Sequence, residues 1–172
     1  MENEKIKLRL IAFNDAERIV ELLRDPEMAE WMLNLPHPYS IKNAHDFLHD
    51  VVDKKFVYVI VSKQTDQVVG TIGLLDRDKI EGERELGYWV GKSEWGNGFA
   101  SAAINLIVQH AFHVLKIKAV YAHVFEPNLA SQKVLLKNGF HFTIRIKGKH
   151  KINPEIDMLE YRLEKKRLVI EL

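Results

Sequence analysis

The sequence predicts one mixed α/β domain of the α+β kind, with a mostly antiparallel central sheet flanked by helices. Three observations lead there. The chain has 172 residues, enough for one core and too few for two independent ones. Its apolar positions switch between a spacing of two and a spacing of three to four, giving the order strand, helices, three strands, helix, strand, helix, two strands. The three consecutive strands form a meander, for which a purely parallel sheet has no place.

Each element has its own warrant. Lys5 to Phe13 alternates apolar Ile6, Leu8 and Leu10 with basic Lys5, Lys7 and Arg9, the pattern of a half-buried strand. Asn14 is expected to cap the next helix, with Asp15 and Glu17 in its first turn and Ala16, Ile19, Val20 and Leu23 on one face. Asp25 and Pro26 break it, and a short second helix is expected over Met28 to Leu33. Leu35 to Tyr39 is irregular, because Pro36 and Pro38 each remove a donor and push the preceding residue to extended geometry. Ser40 caps a third helix through Ala44, Phe47, Leu48 and Val51. Phe56 to Ser62, almost wholly apolar and β-branched, reads as a central strand. The polar turn Gln64 to Gln67 leads into a strand over Val68 to Leu75. Arg84 to Val90 is the next, with Leu86, Tyr88 and Val90 on one face and Glu85, Gly87 and Trp89 on the other. Phe99, Ala102, Ala103, Leu106, Ile107, His110, Ala111 and Val114 mark the clearest helix. Ala119 to Phe125 is a strand, Asn128 to Lys137 a helix stopped by Gly139, and Phe140 to Lys147 and Met158 to Arg167 are the last two strands.

Charge and composition exclude several functions. Twenty-five basic against 24 acidic side chains leave a net charge of +1, so neither nucleic acid nor an anionic membrane is an expected partner. With no cysteine there is no disulfide framework, thiolate metal site or cysteine nucleophile. The start, Met1 to Lys5, lacks the features of a signal peptide, and no run of about twenty apolar residues exists. A cytoplasmic location is the expectation.

Two segments carry the chemistry. Glu85 to Ala100 runs strand, loop with Gly96 and Gly98, helix start. The first turn of a helix has unpaired N–H groups at the positive dipole end, and two glycines let backbone curl around an anion, which together suit a pyrophosphate. A plain strand–helix connection uses the same residues. No P-loop lysine follows, and the third glycine of a dinucleotide fingerprint is missing. The second segment, Asn128 to Phe140, follows Glu126 and Pro127 and contains Ser131, Lys137 and Gly139.

Four pieces in order and at matching spacing resemble the GNAT superfamily of N-acetyltransferases, in the branch of the ribosomal-protein alanine and serine N-acetyltransferases. They are Leu35 to Tyr39, Glu85 to Val90, Trp95 to Ala100, and Asn128 with Ser131, Lys137, Gly139 and Phe140. The resemblance covers about Ile6 to Arg167 and implies one acetyltransferase domain over residues 6–167. It also implies acetyl-CoA as co-substrate, no metal, and direct transfer to an amine. That amine is a protein N-terminus, with a small amine such as an amino acid, polyamine or aminoglycoside as the alternative. A non-catalytic acyl-CoA-binding module on the same fold stays open, and the protein is a monomer or homodimer.

The resemblance also implies roles. Backbone amides of Trp95, Gly96, Asn97, Gly98, Phe99, Ala100 and Ser101 hold the pyrophosphate. The strand at Tyr88, Trp89 and Val90 splays from Ala119 to Phe125, with pantetheine between and the Val90 amide as the oxyanion donor. Asn128 reaches the pantetheine or the thiol end, and Lys137, with Lys133 and Arg145, meets the 3′-phosphate. Trp95 stands where the superfamily usually has arginine or glutamine. Leu135 stands where many members carry a tyrosine that protonates the thiolate, so Ser131, one turn earlier, is the available hydroxyl. Glu85 is the candidate base; its other reading is an exposed strand glutamate paired with Arg84 or a lysine.

His45 and His49 sit one turn apart but lack the glutamate of a metalloprotease motif and a third ligand. His110 and His113 read as cover for the core helix, and His123 as a core or edge histidine that could touch the acceptor. Trp31, Met32 and Leu33 with Pro36 to Pro38 line either the acceptor pocket or the core.

Overall fold

Seven strands form the one sheet of a computed structural model that describes residues 1–32, 35–54, 56–76, 80–148 and 155–165. The strands are β1 Ile6–Leu10, β2 Val57–Ser62, β3 Val68–Leu75, β4 Glu83–Val90, β5 Ala119–Phe125, β6 His141–Ile146 and β7 Met158–Glu164. They lie in the order β1-β2-β3-β4-β5-β7-β6. Only β4 and β5 run parallel; all other neighbours are antiparallel. The helices are α1 Ala16–Leu23, α2 Glu27–Trp31, α3 Ile41–Val51, α4 Phe99–His113 and α5 Leu129–Lys137.

The alternating pattern of each strand sorts its residues between two cores. Ile6, Leu8, Ile72, Leu86, Val120, Ala122 and Val124 pack with Ala103, Ile104 and Ile107 of α4 and Leu135 of α5. Val57, Val59 and Val61 point the other way, onto Ile19 and Leu23 of α1 and Ala44 and Leu48 of α3. Burying each such aliphatic side chain contributes about 1.5–3 kcal/mol. On β5, alternation puts Tyr121, His123 and Phe125 on the face opposite Val120, Ala122 and Val124, where Tyr121 and Phe125 are also buried.

Two local expectations change. Asn14 is not the cap of α1. Residues Phe13–Asp15 form a 3₁₀ turn, and the carboxylate of Asp15 accepts the Ala12 N–H at 2.9 Å while pairing with Arg9 at 2.6 Å. That ion pair with the preceding strand makes Asp15 the better anchor. The second helix is Glu27–Trp31 rather than Met28 to Leu33: Pro26 supplies a helical φ, and Asp25 Oδ1 accepts the Glu27 N–H at 3.0 Å. Leu33 lies outside the described residues, as do Lys166 and Arg167, where the last strand was expected to end. Ser40 caps α3 as the sequence indicates, its Oγ accepting the Asn43 N–H.

Candidate acyl-transfer site

The strand β4 leaves β5 half-way along. Their parallel pairing covers only Glu83, Arg84 and Glu85 against Ala119, Val120 and Tyr121. Leu86 to Val90 stay paired with β3, so their other side opens into a gap. The direction of the backbone there follows from one hydrogen bond. Gly91 N–H donates to Val69 O at 2.9 Å, which in an antiparallel ladder brackets a non-hydrogen-bonded pair, here Gly70 opposite Val90. The N–H and C=O of Val90 therefore point away from β3 into the gap, as do those of Tyr88 two residues earlier. The Val90 carbonyl is taken by the Trp95 indole N–H at 2.7 Å; the Val90 N–H faces the gap as a donor.

One end of the gap is closed by the glycine loop. Gly96 (φ 79°) and Gly98 (φ 74°) are both left-handed, a region glycine enters without the strain a Cβ brings. Gly98 is the N-cap of α4, and the first helical bond runs from Ala102 N–H to Gly98 O. The amides of Phe99, Ala100 and Ser101 therefore have no partner within the helix. Lys5 Nζ donates to the Asn97 carbonyl at 2.7 Å. Across a trans peptide this turns the Gly98 N–H to the opposite side. Asn97 itself donates to Glu94 O at 3.1 Å, and Lys92 ties the loop to Asp25 and Glu27 of the α2 segment. A shallow cleft lined by Lys5, Ser62, Lys63 and Asn97 lies on the β1–β2 side of this loop, away from the gap.

The helix α5 lines the same gap. Asn128 caps it by accepting the Ser131 N–H on Oδ1 at 3.0 Å, leaving its Nδ2 as a donor. The Tyr88 hydroxyl lies 2.7 Å from Ser131 Oγ. Burial pushes the Tyr88 phenol up to about 12, against the lowering effect of its bond to Ser131. Leu135 is fully buried in the core. At the far end, Asn138, the residue after Lys137, donates to Ser101 Oγ at 3.0 Å. Arg145 is instead held on β6 by Glu126 at 2.6 Å and Asp157 at 3.5 Å.

On the opposite face of β4, Glu85 is 7% exposed, so it is not the exposed glutamate of the alternative reading. Among the described residues His123 is its partner. Oε1 lies 3.1 Å from His123 Nδ1, and His123 Nε2 lies 3.5 Å from Glu160 Oε2. His123 thus bridges two carboxylates on three strands. Glu160 in turn accepts from Thr143 Oγ1 at 2.7 Å, and one step along the same face Arg162 pairs with Glu83. The sequence named Glu85 and His123 separately but could not pair them, and it gave no sign of Glu160. Those contacts depend on the β5–β7 register, in which His123 lies opposite Glu160. Nor did it indicate that Tyr88 would meet Ser131.

The remaining candidates have structural places. His49 stacks edge-on to Phe13, and His110 lies against Tyr58. Among the described residues no group of three or more His, Cys, Asp or Glu could hold a metal ion. No described helix is long and apolar enough to cross a membrane. Met32, Leu35 and Trp89 pack against the α1–α3 core.

Comparison with known proteins gives the family and the fold. Residues 5–141 match the family described as acetyltransferase (GNAT) domain. The uncharacterized N-acetyltransferase p20 of Bacillus licheniformis is 31% identical over 137 residues, 77% of this chain and 76% of that one. Among solved structures, the ribosomal-protein-S5-alanine acetyltransferase of Vibrio fischeri superposes with a TM-score of 0.83 at 21% identity, covering 95% of each chain. The spermidine N-acetyltransferase of Vibrio cholerae, in complex with CoA and spermine, has a TM-score of 0.80 at 19% identity, covering 94% of this chain and 96% of that one.

Proposed function

Because the chain belongs to the GNAT acetyltransferase family, an acetyl-CoA-dependent N-acetyltransferase is the enzyme at hand, and we propose that its acceptor is the α-amine of a protein N-terminus. The observation that carries the site is the opening of β4 from β5 after Glu85, with the backbone of Tyr88 and Val90 turned into it. Acetyl-CoA supplies the acyl group as an activated thioester.

The residues present fit that group. Two left-handed glycines and three amides without a partner inside the helix, at the start of a 15-residue helix, suit a pyrophosphate, with the Ser101 hydroxyl in the same turn and Lys137 as the cation for the 3′-phosphate. Backbone of Tyr88 and Val90, and the Asn128 Nδ2, suit the amide groups of pantetheine in the manner of an added strand. The Val90 N–H is the donor for the acyl oxygen. Trp95 holds the Val90 carbonyl and so fixes the next peptide along, between Val90 and Gly91. Ser131 Oγ stabilises the sulfur end.

An acceptor amine is mostly protonated at neutral pH and must first lose a proton. Glu85, nearly buried and steadied by His123, takes it on the face opposite Ser131. The neighbour that acetylates an S5-alanine supports a protein α-amine. A second reading, a small polycationic amine, is favoured by the two carboxylates around His123 and by the neighbour that holds spermine.

The test has two stages. Acetyl-CoA and CoA at a hundred times their dissociation constants are expected to stabilise by about 2.7 kcal/mol, raising Tm by roughly 5–11 °C; ATP and NAD are expected to do nothing. Thiol release is then scored on peptides with free N-termini and on spermidine. Turnover of peptides alone supports the α-amine, and turnover of spermidine alone overturns it. Glu85→Gln is expected to lower kcat about 10²-fold or more with acetyl-CoA affinity unchanged. A chain that binds CoA and turns over neither class is a binding module.

A further inference from the structure

Two hydroxyls face each other across the gap. Tyr88 reaches Ser131 from β4, its oxygen 2.7 Å from Ser131 Oγ and 3.4 Å from the Ser131 carbonyl. Two hydroxyls with one short contact have two arrangements. In one, Ser131 donates to Tyr88, and the phenol hydrogen is left only the carbonyl at 3.4 Å, a long and weak bond. In the other, Tyr88 donates to Ser131 Oγ at 2.7 Å, and the Ser131 hydrogen is released to a further acceptor. The phenol keeps its hydrogen across the neutral range, because burial holds its ionisation near pH 12. The Ser131 amide is already committed to Asn128 Oδ1, and Leu135, one turn along α5, is buried and has no hydroxyl.

We propose that Tyr88 is a positioning residue for the leaving sulfur: it donates to Ser131 Oγ and so directs the Ser131 hydrogen into the gap. This rests on the acyl-CoA reading above. An anion beside Ser131 selects the second arrangement, since two aligned O–H donors polarise one another toward the charge and a bond to an ionised acceptor is about twice as strong as a neutral one. No proton leaves either side chain. The pair holds negative charge that a tyrosine on the helix would otherwise meet, and it does so from the strand.

The test reads the thiol of bound CoA, not turnover alone. Thiolate absorbance is titrated with pH in complexes of CoA with the wild type, Tyr88→Phe, Ser131→Ala and the double variant, with CoA affinity and Tm measured on each. The wild type is expected to lower the thiol pKa below that of free CoA, because hydrogen bonds to the charged form favour it. Tyr88→Phe is expected to raise it again by about one unit, with CoA affinity within about twofold. The double variant is expected to shift no further than Ser131→Ala, since the two act as one chain. In turnover, Tyr88→Phe is expected to lose kcat with the KM for acetyl-CoA unchanged. A Tyr88→Phe complex that titrates as the wild type does overturns the proposal, including when its Tm has fallen. Wild-type protein that binds no CoA overturns the acyl-CoA reading itself, and the proposal with it.

Discussion

Gly70 on β3 tests the geometry of the gap without touching any side chain in it. It lies opposite Val90. A Cβ built there would stand 2.2 Å from the Trp89 carbonyl oxygen, 2.9 Å from Val90 Cα and 3.1 Å from the Trp89 carbonyl carbon. Carbon and oxygen need at least 3.0 Å, so Gly70→Ala requires a relative shift of nearly 1 Å. All three obstructing atoms are backbone, and the Gly91 to Val69 bond pins the strands one residue away. Nothing flexible can swing aside, and β4 itself must move at Trp89 and Val90. Overpacking of this kind costs about 3 kcal/mol, which for a chain of this size lowers Tm by roughly 6–12 °C. Gly73→Ala is the control on the same strand. Its Cβ would meet the Val57 methyl at 3.0 Å and Phe56 O at 3.2 Å, which a few tenths of an ångström relieve, and its cost is about 1 kcal/mol or less. Thermal scans of both variants with and without acetyl-CoA read the result. Gly70→Ala is expected to lose both Tm and most of the acetyl-CoA-induced rise, whereas Gly73→Ala keeps the rise. A Gly70→Ala protein with Tm within about 2 °C of the wild type and the full rise would refute the placement of Val90, and with it the assignment of its N–H to the acyl oxygen.

Three further outcomes are expected. Gly98→Ala keeps a φ of 74° that costs an L-residue about 1–2 kcal/mol; acetyl-CoA affinity by calorimetry should fall, and an unchanged affinity would detach this loop from the cofactor. Leu135→Ala, fully buried, should cost about 2–5 kcal/mol in urea unfolding while CoA still binds, because Leu135 supports the core and not the sulfur. The Tyr88 phenol gives an alkaline signature. Its folded pKa of about 12 exceeds the unfolded value of about 10, so its stabilisation is complete below about pH 10 and is lost as pH rises from there toward 12. Stability should fall by up to about 1.4 kcal/mol per pH unit over that window, and a Tyr88→Phe protein with an equally steep fall would show that the phenol is not held protonated.

What the sequence disclosed was local. The three-four spacing of α4, the serine that caps α3 and the positive φ of Gly96, Gly98 and Gly139 are all decided within a few residues. Asn14 misled because two adjacent polar residues can each cap, and what settles it is Arg9 on the preceding strand, which pairs with Asp15. The site is harder for the same reason. Alternation correctly put Glu85 and Tyr88 on opposite faces of one strand, but it cannot say which residues lie across from them. Glu85 reads as exposed until His123, 38 residues later, is known to lie beside it. Register across a sheet follows from the whole pattern of burial, not from any segment of it, so Glu160 and the Tyr88–Ser131 contact had no signature in their own neighbourhoods.

That opposition of faces also explains how a strand can serve a direct transfer. Residues 85 and 88 are three apart, an odd number, so the pleat sends their side chains to opposite sides of the sheet. A continuous sheet would wall those sides from one another. Here β5 departs after Tyr121, and the backbone of Tyr88 and Val90 faces an opening that joins them. On the reading proposed above, the proton of an incoming amine is handled on the Glu85–His123 side while developing negative charge is met on the Ser131–Tyr88 side, with the Val90 N–H between. Neither group has to move out of the other's way, and no side chain has to carry the acyl group across. A helix does not offer this, because residues three apart on a helix share a face. The splay therefore does more than admit a cofactor. It turns the two-residue period of one strand into a donor side and an acceptor side, and any substitution that restores β4–β5 pairing beyond Glu85 should abolish transfer even with every polar side chain intact.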